Sequence, residues 1–280
     1  MHKNSIIMII LSIIIIGMLI PAGFSANDHQ IVITYGETTK NNAEYKNTVD
    51  SFFENQAHID LKGLNSKIIT ANEVNKISST ITGKSYNSNQ IFSSALVDLG
   101  DNDNLKVSVD KSKITTITGD MYISALKSAG IAKGHVYITS PVTATGESAL
   151  AGIMNSYEVA TDVEIPEPVK EAANKEIYTQ AEIVKESNVS ADDLSNLVDD
   201  VKETVKEENI TDYQTIVNII NNTTINYNIN LTYNDIENLA ESIEQIQNVQ
   251  GDINSYQTEV NDVLNTTDTS NTGFLDGLFN

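Results

Sequence analysis

Residues 113–161, KITTITGDMYISALKSAGIAKGHVYITSPVTATGESALAGIMNSYEVAT, decide the fold. β-Branched residues from Lys113 to Thr118 read as a strand. Gly119 to Ala129 carries apolar residues at helical spacing, with Thr118 placed as N-cap and Asp120 on the positive end of the helix dipole. Gly130 stops that helix. His135 to Thr139 is a second strand, Ser140 to Thr145 is a loop holding Pro141, and Gly146 to Ala160 is the next helix. Strands alternating with helices point to a sheet covered by helices. The Thr-Gly-acid step occurs twice, at Thr118-Gly119-Asp120 and Thr145-Gly146-Glu147, each time between a strand and a helix.

The same alternation continues upstream. Ile31 to Tyr35 is a strand and Thr39 to Phe53 a helix; Ile68 to Thr70 is a strand and Ala71 to Ile81 a helix. Gln90 to Leu99 and Leu105 to Val109 are extended, and the turn-rich Gly100-Asp101-Asn102-Asp103-Asn104 joins them as a hairpin. Downstream the pattern changes at Glu164-Ile165-Pro166-Glu167-Pro168, where two prolines cannot continue a helix. Beyond it the chain reads as helices only. Val169 to Ser187 holds one or two; Ser190 caps one to about Glu208 with Leu194, Leu197, Val198, Val201 and Val205 as its stripe. Thr211-Asp212-Tyr213-Gln214 fits a capping box. Thr232 starts a helix that Gly251 stops, and Asp252 to Leu264 is the last. The polar run Thr266 to Thr272 reads as disordered. The expected fold is therefore α+β: a mixed α/β sheet layer covered by helices (27–165), a small all-α module (166–265) and a flexible tail (266–280).

The chain begins with Lys3 and the run IIMIILSIIIIGMLI from Ile6 to Ile20, followed by Pro21-Ala22-Gly23-Phe24-Ser25-Ala26. A charged n-region, an apolar h-region and small residues for a peptidase are the parts of a signal peptide. A run of fifteen residues is shorter than the roughly twenty a spanning helix needs. Residues 1–26 are thus expected to be a signal peptide cut after Ser25 or, uncut, an N-terminal membrane anchor, and the protein to be secreted or held at the cell envelope. Without Cys it is held together by burial and hydrogen bonds, and thiolate chemistry is excluded. The 38 acidic residues outnumber 17 basic ones, all Lys, for a formal charge of −21. A nucleic-acid binder needs a basic stripe, so that class is set aside. Residues 27–165 hold 16 acids and 11 Lys, whereas residues 166–280 hold 22 acids and 5 Lys. The helical half is therefore the strongly anionic one.

Few motifs carry chemistry. His2, His29, His58 and His135 form no His-x-x-x-His pair, so no transition-metal site is expected. Gly146-Glu147-Ser148-Ala149-Leu150 approximates a nucleophile elbow but ends in Leu150 where the turn requires Gly. The loop carrying Ser140, Thr143, Thr145, Gly146 and Ser148 can offer backbone N–H groups to a ligand from the helix start. Asp120 and Glu147, each just inside a helix start, are the only candidates for a carboxylate-dependent hydrolase. Asp98, Asp101 and Asp103 resemble the beginning of a calcium loop whose later positions fail. Sequons at Asn221, Asn222 and Asn265, read as lying between helices or beyond the last one, are the glycan acceptors expected of an exported glycoprotein. No cofactor is implied.

IVITYGE (31–37), IITANE (68–73), IFSSALVDL (91–99), ITTITGDMYISALKSAGI (114–131), VYITSPVTATGESALAGIMNSYEVAT (136–161) and NINLTYNDIENL (228–239) resemble, in this order, the secreted YpuA-like family catalogued as domain of unknown function 1002. The MY-x-x-AL-x-x-AGI helix and the Pro loop after the next strand are its most specific parts. The resemblance implies an exported or envelope-associated protein of bacteria and some archaea, without an established activity or catalytic residues to carry over. The expected function is an exported binding or structural module with an unknown envelope or extracellular partner, the alternative being a carboxylate-dependent hydrolase or cell-wall-acting enzyme.

Overall fold

The computed structural model describes residues 31–276 apart from 82, 101–103 and 188. The expected leader lies outside the described residues. A five-stranded sheet has the order β2-β1-β3-β5-β4, formed by β1 (Ile31–Gly36), β2 (Asn65–Ile69), β3 (Ser94–Asp98), β4 (Lys106–Val109) and β5 (His135–Thr139). β1 and β2 are parallel, as are β4 and β5, while β3 runs antiparallel between the two pairs. Each parallel pair needs a crossover. α1 (Glu37–Lys40) and α2 (Ala43–Ala57) supply the first, and α4 (Gly119–Ser128) the second. α3 (Ala71–Ile81) leads from β2 toward β3.

The expected hairpin is corrected by this order: β3 and β4 are not neighbours, because β5 lies between them. Burial explains the insertion. Val136 and Ile138 of β5 are fully covered, whereas β4 is at most half-buried. The strand with apolar residues to bury takes the inner position, and β4 takes the edge. A turn-rich segment dictates a reversal of the chain, not which strand pairs with which. The strand expected from Lys113 to Thr118 is also absent; that segment makes one isolated bridge, Ile114 with Ala144, beside the loop that follows β5.

Side-chain alternation divides the core into two faces. Ile33, Leu96 and Tyr137 stand in one cross-strand row and meet Val49 and Phe53 of α2. Val97 and Val136 face the other way, onto α4 and α5 (Ser148–Thr161). α6 (Glu167–Glu186) is one continuous helix, with Pro168 in its first turn where no donor is lost. Its Val169, Ala172, Ala173, Ile177 and Tyr178 complete the core beneath the sheet layer. Its Ile183 joins a second core made by α7 (Ala191–Glu207), α8 (Tyr213–Tyr227) and α9 (Tyr233–Asn248). α6 therefore belongs to both cores.

Caps at Thr118, Ser190 and Thr232 are formed as read, Thr232 in a full capping box with Asp235. The helix expected after Thr211 is capped instead by Asp212, whose carboxylate accepts the Thr215 N–H at 2.8 Å. A carboxylate is the stronger acceptor of the two. α10 (Gln250–Asp276) runs through Gly251 and past Leu264 into the segment that begins at residue 266, where a flexible tail was expected. No proline follows Pro168 to stop it. Asn221 and Asn222 lie inside α8, not between helices, because the stripe Ile216, Val217, Ile220 and Thr224 carries the helix past them; Asn265 lies inside α10.

The helical layer is tied to the sheet layer by a buried charge. Glu176 of α6, 1 % exposed, accepts Ser124 Oγ and Ser128 Oγ of α4, both at 2.6 Å, and Lys202 Nζ of α7 at 2.8 Å. Lys202 also donates to Ser124 Oγ at 2.7 Å and pairs with Asp199 at 3.2 Å. Removing one partner of such a pair leaves an uncompensated charge in the interior. Lys202→Met is expected to cost about 3 kcal/mol or more, read by urea denaturation. Glu176→Gln in the same chain is expected to recover most of it, because the stranded carboxylate is then gone.

Candidate functional site

The carboxyl ends of β1, β2, β4 and β5 lie at one edge of the sheet, where the start of β3 also falls. Crevices at the carboxyl edge of an open sheet are the usual place for a ligand. A cavity of about 190 Å³ opens there between the loop after β5 and the segment leading into β3. Thr143, Thr145, Gly146, Glu147 and Ser148 form one wall; Tyr86 and Gln90 stand on the other. Four of the five loop residues read from the sequence thus meet at one cavity. Ser140 does not line it: it is fully buried and its hydroxyl has no hydrogen-bond partner.

Gly146 fixes the shape of this wall. Its φ of 112° is a conformation side chains rarely adopt, and a Cβ would lie 2.7 Å from Tyr122 Oη. Tyr122, fully buried on α4, donates its hydroxyl proton to the Gly146 carbonyl at 2.6 Å. Thr145 does not cap α5 as Thr118 caps α4; Thr145 donates its hydroxyl to Glu147, and Glu147 stands at the helix start without capping it. Burial first, and the Glu147 charge second, push the Tyr86 and Tyr122 hydroxyls above the ordinary tyrosine range; Tyr178 is raised mainly by burial, with Glu147 contributing.

The other sequence candidates do not join the cavity. Asp120 is exposed in the first turn of α4 and is not among the lining residues. Asp98 turns back to accept the Gly100 N–H at 2.8 Å, and Asp101 and Asp103 lie outside the described residues. Among the described residues no group of three or more His, Asp or Glu is placed to hold a metal ion. Asn221 donates its amide to the Val217 carbonyl at 2.9 Å.

Two polar groupings escaped the sequence reading. Glu176, Lys202 and the α4 serines come from three helices, and only the i,i+4 spacing of Ser124 and Ser128 is visible locally. His135, isolated along the chain, is brought to 2.9 Å from Ser108 Oγ through Nε2 and to 3.0 Å from Tyr137 Oη through Nδ1. The parallel register of β4 and β5 brings Ser108 to His135, which opens β5 at the opposite end of that strand from the loop that lines the cavity.

The model of a family described as "Protein of unknown function (DUF1002)" matches residues 35–263. The chain belongs to that family. The match begins at the end of β1 and stops within α10, so it takes in β2 to β5, α1 to α9 and both cavity walls. The chain is also similar to "Uncharacterized protein YpuA" of Bacillus subtilis (strain 168), 29 % identical over 147 residues, 52 % of this chain and 50 % of that protein. The matched part is about half the length of that curated relative. No solved structure matches the chain.

Raised tyrosine values have a sign. Neutral tyrosine is favoured in the fold, so that contribution is complete below the unfolded value near 10 and is lost as pH climbs through the raised folded value. Glu147→Gln is expected to bring the Tyr86 titration down toward the free value by removing a neighbouring negative charge, followed by ultraviolet absorbance on alkaline titration. An unchanged titration would mean that burial alone sets it.

Proposed function

We propose that the protein is exported and acts as a non-enzymatic binding or structural module, in the medium or at the cell envelope, with the sheet-edge cavity as its ligand site. The observation that carries the binding reading is that Glu147 lines this cavity among the hydroxyls of Thr143, Thr145 and Ser148, while Asp120 stands exposed outside it. A hydrolase of the two-carboxylate kind needs both acids flanking one substrate bond. One half-buried carboxylate among hydroxyls instead suits a neutral or cationic polar ligand and repels an anion. Export is supported by the apolar run Ile6 to Ile20 behind Lys3. Among the described residues, no helix is long and apolar enough to cross a membrane.

A reporter that works only after translocation, fused behind residue 26, is expected to be active outside the cytoplasm; activity confined to the cytosol would contradict export. Purified protein separated in a gel containing cell-wall polymer is expected to leave no cleared band. Clearing that disappears in Glu147→Gln would put the hydrolase reading first.

A further inference from the structure

A second cavity, of about 280 Å³, lies under α10 at the far end of α4. Its walls are mainly apolar: Leu99, Ile131, Tyr157, Val260, Leu264 and the ring of Tyr256. α10 comes close to the chain at Gly130, where a Cβ would stand 2.9 Å from the Tyr256 ring. The enclosing tyrosines differ in one respect. Tyr157 donates its hydroxyl proton to the Lys133 carbonyl at 2.5 Å. Tyr256, 2 % exposed, lines the cavity beside Thr161, and its hydroxyl makes no hydrogen bond of normal geometry. The proton of the neighbouring Thr161 is committed elsewhere, to the Tyr157 carbonyl at 2.7 Å.

Buried hydroxyls are nearly always paired, and an unpaired one costs stability unless something fills the gap. Phenylalanine would have supplied the same ring without that cost. The volume sits just below the usual range of ligand pockets, about 300–1,000 Å³, which suits a single ring or a short chain. We propose that this cavity is a binding site for a small, largely apolar molecule bearing one hydrogen-bonding oxygen, its apolar body against Leu99, Ile131, Val260 and Leu264 and its oxygen on the Tyr256 hydroxyl. The ligand joins α10 to the end of α4, and the site is separate from the cavity at the sheet edge.

Phenol and toluene, alike in shape and differing in the oxygen, are the probes. Their affinities for the full chain are read from the concentration dependence of the melting temperature. Both are expected to stabilise the wild-type protein. In Tyr256→Phe, which keeps the ring, the ratio of phenol to toluene affinity is expected to fall by about two- to tenfold, one hydrogen bond's share. Without ligand, this variant is expected to melt at or above the wild-type temperature, since it loses a hydroxyl that is unpaired in the fold. Val260→Trp, which fills the cavity from its half-exposed rim, is expected to abolish the effect of both probes while circular dichroism shows the helices intact. No stabilisation by either probe, an unchanged ratio in Tyr256→Phe, or a marked loss of stability in ligand-free Tyr256→Phe would each overturn the proposal.

Discussion

A carboxylate buried in a protein that already carries a formal charge of −21 is the constraint around which the helices are arranged. Shut away from water, the Glu176 carboxylate needs a cation and several donors around it. Lys202 and two serines supply them, and each comes from a different helix than Glu176 itself. α4, α6 and α7 can satisfy that carboxylate in few relative positions. Apolar stripes could tolerate a helix that slides or rotates; a buried ion pair with hydrogen bonds of 2.6–2.8 Å is much less forgiving. The acidic half holds only five lysines, and one is spent here. The α/β layer and the helical layer are thereby held in register through α6, which contributes apolar residues to both cores.

The sheet sets the cavity in the same indirect way. Placing β5 between β3 and β4 brings the loop after β5 beside the segment that enters β3, and these two stretches make the cavity walls. Tyr122 of α4 then holds Gly146 by its carbonyl, so the helix that crosses from β4 to β5 also shapes the site. Glu37, after β1, accepts the Ala71 N–H after β2 at 2.9 Å and ties the neighbouring loops at the same edge.

What the sequence revealed was whatever local chemistry decides. The bounds of α3, the caps at Thr118, Ser190 and Thr232, and the stripe of α7 all follow from residues within one or two turns of each other. The family was legible too, because its motifs run in order along the chain. Strand order was not: the turn residues at 100–104 are the same whether β4 returns beside β3 or one place further on, and only the burial of Val136 and Ile138 separates the two. Half of the cavity was legible through the Gly146 loop. Tyr86, on the other wall, sits in a segment without periodicity, Gln90 starts an extended one, and nothing near them in sequence points at Glu147. Nothing local marks Glu176 among the 22 acids of the helical half, since a helical residue becomes buried through its neighbours in space.

Native-state hydrogen exchange, resolved by segment, tests the central claim most directly. If the buried pair locks the two layers together, the amides of α6 and α7 flanking Glu176 and Lys202 exchange only through the same large opening that exposes β3 and β5. If α6 and α7 instead exchange through a smaller opening, together with α8 and α9 while the sheet stays protected, the helical layer is an independent unit and the account is wrong.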